Sequence, residues 1–137
     1  MHLSVENHFL FKYRWLLGAL ALLAIIFFIY ASSLTAGFFA DDFNFLEPAA
    51  RLTLGEYLVH YFDPRVQVLW YRPLQGIQIL LEYWVFGANA LGYHVVQILI
   101  HWINGILVFA LVRRVSRNAA VAILSTLSYI SFPVYAL

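Results

Sequence analysis

No cysteine occurs in the 137 residues, so disulfide staples and thiolate metal sites are excluded and the redox compartment stays unread. Charge is scarce too. Asp, Glu, Lys and Arg make up 11 % of the chain, where a soluble domain carries about a quarter. A net charge of +1 is too small to attract a polyanion, so no nucleic-acid partner is expected. No internal repeat or low-complexity stretch suggests a solenoid or a disordered linker.

What is present is apolar. Hydrophobic residues account for 64 % and aromatics for 18 %, with a mean hydropathy of +0.80. That balance belongs to a chain whose main solvent is lipid, with rings suited to membrane–water interfaces. From Trp15 to Ala36 no charged side chain appears. Twenty or so residues at about 1.5 Å each cross a hydrocarbon core of roughly 30 Å. A cleaved signal peptide is the competing reading, since Lys12 and Arg14 form a basic start and Ser32 to Ala36 are mostly small. Against it, the stretch exceeds a usual signal core of about 7–15 residues, and Leu34 suits the −3 position badly.

A second span covers residues 92–112 and is followed at once by Arg113, Arg114 and Arg117. A third covers 119–137 and is still apolar at Leu137, so it is expected to be incomplete. Basic residues collect on the cytoplasmic side of short loops, and both basic clusters agree on one topology. Residues 1–14 are then cytoplasmic, 15–36 span, 37–91 form an extracytoplasmic loop, and 113–118 make a cytoplasmic turn. The expected fold is therefore an all-α integral membrane protein with three transmembrane helices. Short interfacial helices are expected in the outer loop. Thr53-Leu-Gly-Glu56 has the form of a capping box, which predicts a helix from there to about Phe62, stopped by Asp63-Pro64. Pro73 to Phe86 opens on proline and closes at Gly87. Its Gln75, Gln78 and Glu82 share one side, opposite Leu74, Ile77, Leu81 and Trp84, as in an interfacial amphipathic helix.

Few residues remain that could carry chemistry. Asp41 and Asp42 stand just after the first span, among aromatics. Two carboxylates there could coordinate a hard divalent cation such as Mg or Mn, or one could act as general base. They could equally make an ordinary helix cap or turn. In the second span His94, Gln97, His101 and Asn104 are spaced by 3, 4 and 3 residues, which keeps them on one helical face. At membrane depth such a stripe must be covered by protein or line a site, and helix–helix hydrogen bonding is its ordinary use. His94 and His101 are two turns apart, about 10 Å, too far to share a metal. Arg72, in Tyr71-Arg-Pro-Leu74, could grip a phosphate, pair with Asp41 or Asp42, or snorkel to headgroups.

Taken in order, Phe38-Phe-Ala-Asp-Asp-Phe-Asn-Phe-Leu46, Tyr71-Arg-Pro-Leu74, Phe86-Gly87 and Gly92-Tyr-His-Val-Val-Gln-Ile-Leu-Ile-His-Trp-Ile-Asn104 resemble the N-terminal part of GT-C membrane glycosyltransferases. The similarity is to the protein O-mannosyltransferase-like branch, with its bacterial relatives, and runs from about residue 15 to the end. The resemblance implies transfer of a sugar from a polyprenyl-phosphate carrier at the outer face of a membrane, in bacteria the inner membrane. It makes Asp41 and Asp42 the catalytic or metal-binding acids, and it makes Arg72, His94 and His101 substrate-side residues. Gln97 stands where asparagine is expected, and the amide function survives. Members of this superfamily have many more spans, so these residues are expected to be the front of a longer enzyme and inactive alone. The alternative is a non-catalytic subunit that packs against other membrane proteins.

Overall fold

The computed structural model describes residues 3–39, 42–66 and 71–132, with side chains from residue 13 onward. Among these residues the chain is helical throughout, with no strand. The helices are α1 (Leu3–Tyr30), running into a 3-10 turn (Ala31–Thr35), α2 (Asp42–Arg51), α3 (Leu54–Phe62), α4 (Pro73–Phe86), α5 (Ala90–Ser116) and α6 (Ala119–Ser131). The described residues divide into two compact units, one within 3–33 and 96–132, the other within 34–95.

The first unit holds the long apolar helices. Tyr13–Thr35 and Ala90–Ser116, 23 and 27 residues, are long and apolar enough to cross a membrane. Only 6 % and 17 % of their most apolar stretches are buried, whereas the core helix of a soluble protein would be mostly covered. α6 is apolar but shorter, at 13 residues. That is about 20 Å of helix, less than a full crossing, and residues 133–137 of the expected third span lie outside the described residues.

α1 and α5 run antiparallel. Trp15 meets Phe109 edge-on at 6.1 Å, Leu22 approaches Gly105, and the Tyr30 ring meets His101 at 5.4 Å. A Cβ on Gly105 would stand 3.2 Å from Leu22 and 3.3 Å from Ile130, so this glycine lets α1 and α6 close on α5. Polar atoms act as fasteners at three points. Trp102 donates to the Ala19 carbonyl at 2.8 Å. The Tyr30 hydroxyl donates to the carbonyls of Ile130 and Phe132, at 3.0 and 2.7 Å, at the end of α6. The last carbonyls of a helix lack partners within it, so these bonds close that end without water.

The second unit is built from short helices around tyrosine. Leu46 and Ala49 of α2, Tyr57 and Tyr61 of α3, Ile79 and Leu80 of α4, and Tyr93 of α5 form its core. Phe38, Phe45, Tyr83 and Phe86 pack against it. The capping box of α3 forms as its sequence requires: Thr53 Oγ1 accepts from the Glu56 N–H, and Glu56 accepts from the Thr53 N–H at 2.9 Å. α4 starts at Pro73 and stops at Gly87, whose φ of +57° is a conformation glycine adopts without strain. Gly76 is where α3 and α4 meet. Its carbonyl accepts from the Tyr57 hydroxyl at 2.9 Å, and a Cβ there would collide with the Tyr61 ring.

Two features were not legible beforehand. α2 is a helix despite Pro48 inside it, where proline removes one intrahelical bond. α4 also turns its polar side inward. Leu74, Leu81, Trp84 and Val85 are exposed, while Glu82 is buried on the side that packs against α2 and α3.

Candidate functional site

The acidic motif divides at the edge of the described chain. Asp41 lies outside the described residues. Asp42 opens α2 and is only 6 % exposed. Its carboxylate accepts from the Phe39 N–H at 2.6 Å, while its own N–H donates to the Phe39 carbonyl at 3.0 Å. This is the backward reach by which a capping-box acid satisfies the residue three before it. Nearby in sequence, the Phe38 ring meets Phe43 at 6.4 Å and Tyr93 at 5.2 Å.

Arg72 caps the start of α4 and is exposed. One guanidinium nitrogen donates to Gln75 Oε1 at 3.3 Å, which turns the side chain along the first turn of the helix. His94, in the first turns of α5, is buried and its Nε2 stands 3.2 Å from the Ala36 carbonyl. A carbonyl only accepts, so this bond places a proton on Nε2. Asp42, Arg72 and His94 all lie in the unit formed by residues 34–95.

His101 falls in the other unit. It is buried, with Nε2 3.4 Å from the Ile130 carbonyl and its ring between Tyr30 and Tyr129, centroids 5.4 and 5.0 Å away. That is a fastening role for α6, the hydrogen-bonding use open to the stripe from the start. Gln97 and Asn104 are half-buried on the same helix.

Glu82 is the residue sequence reasoning placed on the watery side of a helix and the fold buries. It is 4 % exposed. One carboxylate oxygen accepts from Gln78 Nε2 at 2.9 Å, and the other has no hydrogen-bond partner. Burial pushes the carboxyl up from its ordinary range, and the Gln78 bond only partly offsets this. The sequence held one clue: Glu82 is the single charged residue between Pro73 and Phe86. Burial likewise pushes the Tyr57 and Tyr61 hydroxyls up, so both stay neutral donors.

Among the described residues no three His, Asp or Glu side chains gather closely enough to hold a metal ion. Compared with protein-family models, curated proteins and solved structures, the chain matches none.

Proposed function

We propose that these residues carry the first spans and first outer loop of a GT-C-type glycosyltransferase that uses a polyprenyl-phosphate sugar at the extracytoplasmic face. One observation supports the reading beyond the ordered motifs: Asp42, at the start of α2, and His94, in the first turns of α5, are both buried in the unit of residues 34–95 that also carries Arg72. In this reading α1, α5 and the segment 119–137 that contains α6 span the membrane, with residues 1–14 and 113–118 on the cytoplasmic side. The antiparallel run of α1 and α5 supports that topology, because it brings Arg14 and the Arg113–Arg114 pair to the same end. The exposed apolar side of α4 then rests in the outer leaflet, its polar side covered by protein.

The chemistry asked of the site is modest. A carboxylate of the Asp41–Asp42 pair takes the proton of an acceptor hydroxyl as that oxygen attacks the anomeric carbon, and the bond from this carbon to the carrier phosphate breaks. Arg72 meets the departing phosphate with a planar guanidinium that can hold two of its oxygens. His94 holds Ala36 against the first turns of α5. A divalent cation, where one takes part, would draw on Asp41 and Asp42.

The test is sugar transfer from a polyprenyl-phosphate donor by the complete gene product in membranes. Asp41→Asn and Asp42→Asn are expected to lower turnover by about a hundredfold or more, the usual worth of a positioned base. Arg72→Lys is expected to raise the donor KM more than it lowers kcat. Full activity in both aspartate variants would sink the assignment.

A second reading has its own support. The bonds seen at Asp42, His94 and His101 all go to backbone groups, as expected of residues that only hold helices together. In that reading the chain is a non-catalytic subunit, and it co-purifies in fixed stoichiometry with a larger membrane complex.

A further inference from the structure

Within the first unit, α1, α5 and α6 leave a groove of about 310 Å³. Its walls include Leu22, Ile25, Ile106, Phe109 and Leu127, and are otherwise apolar except at two residues. One is Thr126, whose hydroxyl is spent on the Ala122 carbonyl at 2.8 Å, so it adds no polarity to the wall. The other is Arg14, at one end, with its guanidinium 5.3 Å over the Trp15 ring.

A groove that is apolar along its length and cationic at one end fits an amphipathic ligand with an anionic head. The volume, at the small end of ligand sites that run from ~300 to ~1,000 Å³, suits one hydrocarbon chain. The tryptophan under the guanidinium belongs to the headgroup level, where indole rings collect. Arg113 and Arg114, at the same end of the helix pair, add positive potential there.

We infer that this groove seats one acyl chain of an anionic phospholipid, with the lipid phosphate held by Arg14. The inference rests on the membrane-spanning part of the proposed reading and is independent of sugar transfer. Gly18 forms part of the wall, and a Cβ there meets nothing within 4 Å, so a side chain placed at this position starts into open space at the groove.

The experiment is native mass spectrometry of the full protein released from detergent, with phosphatidylglycerol and phosphatidylcholine added in equal amounts as probes. The wild type is expected to keep one phosphatidylglycerol at roughly tenfold preference, the size of one charge-assisted phosphate contact. Arg14→Gln should bring phosphatidylglycerol down to the level of phosphatidylcholine. Gly18→Phe should remove both, and Arg114→Gln, off the groove, should lower phosphatidylglycerol far less than Arg14→Gln does. Equal retention of the two lipids by the wild type would overturn the inference. So would equal losses in Arg14→Gln and Arg114→Gln, which mean diffuse surface charge. Alkaline carbonate extraction separates the two failures. A protein that stays in the membrane without a bound lipid defeats the groove alone, while one that is washed out defeats the membrane reading beneath it.

Discussion

The two units of this chain solve the problem of burying backbone and side chain in opposite ways. In the first, long apolar helices bury few of their residues and leave Phe28, Leu111, Leu124 and Val115 exposed. They are held by single fasteners, Trp102 to Ala19 and Tyr30 to the end of α6. In the second, helices of 9 to 14 residues enclose a shared core rich in tyrosine, and its hydroxyls bond to carbonyls. A helix of about ten residues is marginal alone, so the second unit needs tertiary packing that the first can take from lipid. The lesson is that a disturbance inside the second unit should cost far more than one between helices of the first.

The largest expected effect is at Gly76. Gly76→Leu drives a side chain into the Tyr61 ring and parts α3 from α4. A loss of about 3 kcal/mol is expected, seen as a lower melting temperature and as new proteolytic cuts within residues 37–91. A variant that melts like the wild type would remove the contrast between the units.

Next is Glu82→Gln, which should stabilise by about 1–3 kcal/mol near neutral pH by ending the burial of an ionisable group with an unpaired oxygen. The sign follows from the raised proton affinity. The folded state binds this proton more tightly than the unfolded chain, so the contribution is complete below the ordinary value of 4.5 and is lost as pH rises through the higher folded value. Melting temperatures from pH 4 to pH 8 should therefore fall for the wild type and flatten for the variant. Parallel profiles would show that Glu82 is hydrated or paired in the membrane.

A smaller effect is expected in the first unit. Tyr30→Phe removes a partner from the Phe132 carbonyl and leaves the Ile130 carbonyl to His101, and should cost about 1 kcal/mol, with hydrogen exchange rising at the end of α6 alone. Smallest is Thr53→Ala, which removes an exposed capping box and should cost about 0.5–1 kcal/mol, read by the same melts. A cost at Tyr30 exceeding that at Gly76 would invert the comparison.

Much of this architecture was written in local chemistry. Charge-free runs fix where a chain can leave water, and both long helices follow them. Thr53, Glu56, Pro73 and Gly87 set the bounds of α3 and α4 because capping groups and φ preferences act within a few residues. α2 was hidden because Pro48 argues against a helix locally, and its buried Leu46 and Ala49 stabilise it only against the rest of the core. Of the residues singled out for chemistry, Asp42, Arg72 and His94 fold into one unit and His101 into the other.

Periodicity along α4 separated a polar side from an apolar one by sequence alone, since helical geometry alone decides which residues share a face. Which side would be covered by protein was decided by the packing of the whole unit, which buries Glu82 and leaves Leu74 and Trp84 outside. In the same way the stripe on α5 was visible as a spacing, but the partner of His101 is a carbonyl 29 residues onward. Spacing fixes neighbours within about a turn of helix, whereas long-range contacts depend on how the chain returns, and only the folded structure holds that information.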